Sequence, residues 1–255
     1  MESHVLADEL SRLLGVKGLV EDYGPRSGEA RAWFAHVRSA LSQVDRAEAA
    51  AFEDVAAQIQ ARPSLDGEDP LWIRSQLMVY RTIAQLPAPP GAGEDDRDAL
   101  TGLRKRRVLH ADLARGVEQA LAGGQPLALI LADLDQFNRV NYDAGPQAGD
   151  EGLKAVAVEV AGAAPDRGRA YRCDGEEMAV LLDGAGGADA AAIAEKLRAA
   201  IAGLAVPSLG RPLTASIGVA AVPEHARDAA TLFEKATRAL DRARDAGRNQ
   251  VRLAE

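Results

Sequence analysis

Cysteine, histidine and aromatic residues are scarce in this chain: one Cys, four His and ten Phe, Tyr or Trp among 255 residues. A lone Cys173 cannot form an internal disulfide, and no Cys/His cluster has zinc spacing, which suits a reducing cytoplasm. His4, His36, His110 and His225 are scattered and read as ordinary surface or packing residues. No run approaches the roughly 18 apolar residues of a membrane-spanning helix. The N-terminus, Met1 to Glu9, is acidic and leads into no apolar core, unlike a signal peptide. A cytoplasmic protein without membrane association is expected. The formal net charge of −8 argues against a nucleic-acid partner, although a local basic patch could still hold one nucleotide. What is abundant is core material: 47% of residues are hydrophobic, enough to exclude disorder, and the length suits one large domain or, preferably, two small ones.

A Pro/Gly tract running into acid, Pro87 to Arg97, marks the expected boundary between residues 1–97 and 98–255. Upstream, helical spacing links Leu6, Leu10 and Leu13; then Trp33, Val37, Leu41, Val44, Ala51, Val55 and Ile59; then Ile73, Leu77, Tyr80 and Ala84. Six of the ten aromatic residues lie there, enough to give a small all-α domain its own core. Such a domain is a helical bundle or dimerising arm, or else a sensory input domain; nothing in it has ligand-binding spacing. Downstream, helices are expected over about Arg104–Leu121, Gln147–Ala161, Asp189–Ile201 and Ala229–Ala243, with strands ending at Asp133, flanking Asp174-Gly175, and covering Leu213–Ala220 and Asn249–Leu253. That order is α/β (α+β), a βαββαβ arrangement of the palm/ferredoxin-like kind with a mostly antiparallel central sheet.

The most informative segment is Arg172-Cys173-Asp174-Gly175-Glu176-Glu177-Met178. Asp174-Gly175 between two β-type runs predicts a two-residue hairpin turn with both central residues at positive φ. The apolar run Pro126 to Ala132 ends in Asp133, so carboxylates stand at its carboxyl end. If the two strands share a sheet, Asp133, Glu176 and Glu177 converge, an arrangement that can hold a divalent metal against a nucleotide triphosphate. The plainer reading of Asp133 and Glu176 is a pair of solvated turn carboxylates. Asn141 and Asp150 could simply cap a helix start, Arg244 and Arg248 could be a solvated helix end favoured by the dipole, and Asp135 reads as a local cap rather than a ligand.

With these residues in view, residues 98–255 resemble the GGDEF domain of diguanylate cyclases. The resemblance rests on Asp98 through Arg107, Asp133-Leu134-Asp135-Gln136-Phe137, Asn141 through Gly145 to Gly149-Asp150, the hairpin signature, Ser216 through Ala220, and Gly247-Arg248-Asn249. It implies a GTP-dependent cyclase that joins two GTP into cyclic di-GMP across a homodimer. By position, Asp133, Glu176 and the Leu134 carbonyl would hold Mg²⁺ or Mn²⁺, and Glu177 would complete the catalytic site. Asn141 and Asp150 would read guanine, and Asn138, Gly175, Arg244 and Arg248 would lie against the nucleotide. Departures accompany these matches. Asp174 replaces the first signature glycine and Met178 its aromatic; Asn138 stands where a lysine is usual, Pro146 for a histidine, Lys105 for an asparagine, and Arg244 where lysine is common. A further carboxylate near a triphosphate adds repulsion of about 1 to 4 kcal/mol at 4 Å, depending on screening. Pro165-Asp166-Arg167-Gly168 lacks the Arg-x-x-Asp of product inhibition, so feedback through that site is not expected. The alternative implied by these changes is a degenerate domain that binds GTP or a protein signalling partner without turnover.

Overall fold

The computed structural model describes residues 6, 10, 24–64, 71, 74, 75, 78, 79, 82, 96–164 and 168–255. Leu13, Ile73, Leu77, Tyr80 and Ala84 of the expected N-terminal helices, Pro87 to Asp95 of the connecting tract, and Pro165 to Arg167 lie outside them. The chain divides into two compact units, Met1–Pro90 and Gly91–Glu255.

In the first unit, α1 (Gly28–Ser42) and α2 (Arg46–Ala61) are each started by a side chain: Ser27 accepts from the Ala30 amide, and Asp45 from those of Ala47 and Glu48. Such caps satisfy amides that have no partner within the helix. Arg26 answers at the other end of α2, donating to the Gln60 and Ala61 carbonyls at 2.9 and 2.5 Å. The apolar stripes of the two helices bury Trp33, Phe34, Val37 and Leu41 against Phe52, Val55 and Ile59, and Leu6, Leu10, Met78 and Val79 join the same core. Trp33 meets Phe34 edge to face with ring centroids 5.0 Å apart, a favourable aromatic geometry.

The second unit is built on β1 (Arg104–Lys105), β2 (Leu127–Leu134), β3 (Gly168–Asp174), β4 (Glu177–Asp183), β5 (Ala215–Val222) and β6 (Val251–Leu253), with α3 (Arg106–Gly123), α4 (Phe137–Ala144), α5 (Pro146–Gly162), α6 (Gly187–Ala202) and α7 (Ala229–Asp245) between them. The sheet order is β1-β3-β4-β2-β5-β6. The four inner strands pair antiparallel; β1 and β6 join the edges parallel. This is the mixed α/β fold with a mostly antiparallel centre expected from the element order.

Central β2 is apolar on both faces because helices cover both. Ala128, Ile130, Ala132 and Leu134 share a core with Val156 and Val160 of α5 and Ala194 and Leu197 of α6. Leu127, Leu129 and Leu131, of opposite parity, are also buried, on the face that carries α3 and α7. Gly218 of β5 explains how closely α7 packs: a Cβ there would lie 2.2 Å from the Ala236 carbonyl oxygen and 2.3 Å from the Leu240 nitrogen.

Five features differ from the sequence expectation. Arg104 and Lys105 leave the helix to pair with Tyr171 and Arg172, α4 is an additional helix, and β6 starts at Val251 because Arg248 and Asn249 have φ of 66° and 45°. The hairpin turn is centred on Gly175-Glu176, one residue later than expected: Asp174 pairs with Glu177 after a bulge at Cys173, and only Gly175 of the Asp174-Gly175 pair has positive φ. The second unit also reaches back past Asp98, since Asp96 forms a buried ion pair with Arg107 and Arg97 bridges Arg104.

Candidate active site at the carboxyl end of the central strand

β2 ends between two partners. Asp133 lies directly across from Glu177 on β4 and Ser216 on β5, so by the two-residue period of a strand the three side chains share the α7 face. The turn bearing Glu176 is tied to the same place, where the Leu134 amide donates to the Glu176 carbonyl at 3.4 Å. Arg244, in the last turn of α7, reaches across and grips Asp133 with two nitrogens: Nε to Oδ1 at 3.2 Å and a terminal nitrogen to Oδ2 at 2.5 Å. Its other terminal nitrogen donates to Asp241 at 2.9 Å.

The electrostatics follow from this crowding. Burial pushes the Glu176 carboxyl above its usual range, and the charges of Asp133 and Asp174 push the same way, while Arg244 opposes them. Burial would weaken the Arg244 charge, but Asp133, Asp241 and Glu177 outweigh it and hold the guanidinium above its ordinary value. Asp133, Glu176, Glu177 and Arg244 are thus brought together.

The turn is held from outside by Arg172, which donates to the Gly175 carbonyl through Nε at 2.9 Å and a terminal nitrogen at 2.7 Å, and to Asp98 at 2.9 Å. Asp98 also accepts from the amide and hydroxyl of Thr101. Burial tends to raise the Asp98 carboxyl, but the bonds from Thr101 and Arg172 outweigh it and hold it below its ordinary value. Asp135, read from sequence as a cap, gathers Thr214, Ser216 and the Asn249 amide at 2.6 to 3.0 Å. It thereby joins β2, β5 and the segment that carries Arg248. These roles of Arg172 and Asn249 escaped the sequence reading; a basic residue beside a Gly turn was the only available signal.

At the corner of α4 and α5, Asn141 sits over Gly149, where an added Cβ would fall 1.8 Å from its Oδ1. Asp150 is exposed just past the first turn of α5, and Asn138 on the first turn of α4. Pro146 is the first residue of α5, a position that proline suits because that amide has no helical acceptor. No side chain caps α4; the Arg139 amide donates to the Gln136 carbonyl at 2.9 Å, which leaves the amides of Phe137 and Asn138 as those an anion could meet. Arg248 is exposed past a helix end closed by Arg248 and Gly247 amides on the Ala243 and Arg244 carbonyls, a Schellman cap.

Asp133, Glu176 and the Leu134 carbonyl offer the hard oxygen donors that Mg²⁺ or Mn²⁺ takes, so the donor chemistry fits. Their present arrangement does not enclose an ion, since among the described residues no three His, Cys, Asp or Glu side chains are grouped to do so and both Asp133 oxygens face Arg244. No helix among the described residues is long and apolar enough to cross a membrane.

The chain is 37% identical over 159 residues to diguanylate cyclase DgcP of Pseudomonas aeruginosa, covering 62% of this chain and 24% of DgcP. It is 34% identical over 158 residues to response regulator PleD of Caulobacter vibrioides, covering 60% of this chain and 35% of PleD. It therefore spans well under half the length of these relatives. Among solved structures, the GGDEF domain of DgcB from Caulobacter crescentus in complex with c-di-GMP aligns with a TM-score of 0.60 and 27% identity, over 66% of this chain and 98% of that one. Residues 95–250 match the family described as diguanylate cyclase, GGDEF domain, and the chain belongs to that family.

Proposed function

We propose that this chain condenses two GTP molecules into cyclic di-GMP as a homodimer. The observation that carries the reading is the meeting of Asp133 and Glu177, paired across two antiparallel strands, with Glu176 from the adjoining turn and Arg244 from α7. In each half-reaction the 3′-oxygen of one GTP bonds to the α-phosphorus of the other. The bond from that phosphorus to the bridging oxygen breaks, pyrophosphate leaves, and the hydroxyl proton passes to a carboxylate or water beside it. Two such steps close the ring.

Asp133 and Glu176, with the Leu134 carbonyl, are the residues that would hold Mg²⁺ or Mn²⁺. When bound, such an ion offsets phosphate charge and favours the ionised 3′-oxygen. Glu177 borders the attacking hydroxyl. The uncapped amides of α4, beside Asn138, and the turn at Gly175 receive phosphate oxygens, with Arg244 and Arg248 countering their charge. Asn141 and Asp150 read the guanine edge: a carboxylate accepting from N1–H and the exocyclic amine rejects adenine, which lacks that donor pair. Gly149 supports this role by leaving room for Asn141.

Incubation of the purified chain with GTP and Mg²⁺ or Mn²⁺, followed by chromatography, tests the proposal. Cyclic di-GMP formation that disappears in Glu176→Ala and Glu177→Gln is expected; no product above those controls defeats it. A second reading, a domain that signals without turnover, is favoured by Asp174, exposed at the end of β3 and close enough to raise the Glu176 carboxyl, and by the lack of a cation at Asn138. It requires the wild-type chain to yield no product. A large gain on combining Asp174→Gly with Asn138→Lys would assign the deficit to repulsion.

A further inference from the structure

Asp133 has two claimants. Arg244 lays a planar fork over both of its oxygens, at 3.2 and 2.5 Å, a bidentate contact that lysine, donating from a single nitrogen, cannot make. The contact is partly buried on both sides, with side-chain exposures of 22% and 18%, so water screens it less than a surface pair. The position of Arg244 is fixed from its backbone, since its carbonyl accepts from Gly247 in the helix cap. Asp241, one turn earlier, steadies the guanidinium from the other side at 2.9 Å.

A divalent ion on Asp133 needs the lone pairs that this fork holds, and would bring two positive charges against a third. We infer that Arg244 is a positioning residue that occupies Asp133 in the nucleotide-free protein and yields it only when a nucleotide triphosphate offers the guanidinium phosphate oxygens instead. Free divalent cation is thereby kept out, and the cation enters together with nucleotide. The ligand's identity as a triphosphate rests on the cyclase reading; the competition between Arg244 and a cation does not.

The test is Mn²⁺ binding to the full chain without nucleotide, followed by the paramagnetic resonance signal of the free ion. Arg244→Gln is expected to bind Mn²⁺ about tenfold or more tightly than the wild type, within the range usual for coupling between sites, and Arg244→Lys to fall between them. Adding Asp133→Asn to Arg244→Gln should abolish the gain. Circular dichroism checks folding; if Arg244→Gln is unfolded, Arg244→Lys carries the comparison. Unchanged or weaker binding in the folded variant overturns the inference, as does a gain that survives Asp133→Asn. GTP turnover measured in parallel separates the two readings: its absence removes the cyclase proposal and leaves the Mn²⁺ comparison standing.

Discussion

Gly149 has no Cβ, and Asn141 uses the space: the missing atom would sit 1.8 Å from Asn141 Oδ1. Because the neighbour is a side-chain end rather than backbone, Gly149→Ala is expected to keep the fold and turn Asn141 away. If Asn141 reads guanine, GTP affinity should then fall by roughly tenfold, about the contribution of one good hydrogen bond to a polar ligand, while ATP binding stays as weak as before. Calorimetric titration of both nucleotides checks this, and unchanged GTP affinity would detach Asn141 from the base. Cys173 gives a second prediction at this scale. Burial, with the charges of Glu177 and Asp174 adding to it, pushes its thiol well above the ordinary range, so the nucleophilic thiolate is scarce at neutral pH. Ellman's reagent should leave the native chain unmodified and titrate one thiol after urea. The sequence made the residue types legible here but not their pairings. That Asp133 would face Arg244, or that Arg172 would reach Asp98, depends on side chains 111 and 74 residues apart meeting their partners, which no local pattern encodes.

Elements were more readable than contacts, because periodicity and capping are local. The apolar run from Pro126 to Ala132 ending in Asp133 announced a strand, found at Leu127–Leu134, and α7 (Ala229–Asp245) was foreseen to within two residues. The turn was misplaced by one residue because Asp-Gly is a good hairpin pair on its own, whereas the bulge at Cys173 moves the register and makes Gly175-Glu176 the tip. β1 was hidden for a related reason: two residues, Arg104 and Lys105, are a strand only because β3 lies beside them. The packing of α7 on β5 yields the prediction at this scale. At Gly218 the obstruction is helix backbone, at 2.2 Å from the Ala236 oxygen and 2.3 Å from the Leu240 nitrogen. Backbone cannot rotate aside, so Gly218→Ala must push α7 outward, with overpacking costs of about 1–3 kcal/mol or more. Urea unfolding should show a lower midpoint, and α7 displacement should also loosen Arg244 from Asp133 and weaken any GTP turnover. A variant as stable as wild type would show that α7 rides less tightly on the sheet.

Each of the two units carries a core of its own, Trp33, Phe34 and Phe52 in one and the two helix-covered faces of the sheet in the other. The fragment Gly91–Glu255 is accordingly expected to unfold cooperatively when produced alone, with Asp96 needed for its full stability because Arg107, which it pairs, is itself buried. Within that unit the global response to acid has one identifiable contributor where α3 meets α7. His110 is fully buried, accepts from Arg106 at 3.3 Å and lies with its ring 5.2 Å from that of Phe233. Burial, and secondarily the Arg106 charge, hold its pKa well below the ordinary 6.5. The folded chain therefore keeps this ring neutral where the unfolded chain protonates it, so the unfolded state binds more protons below about pH 6.5 and gains stability as the pH falls. The loss for the native state is on the order of 1 kcal/mol per pH unit below that value, and none is expected above it. Chemical unfolding at pH 7.5, 6.5 and 5.5 checks the sign. His110→Leu, which cannot protonate, should show a shallower decline over the lower interval than the wild type, whatever its absolute stability. Parallel slopes in the two proteins would mean that His110 takes up its proton without opening the contact between α3 and α7.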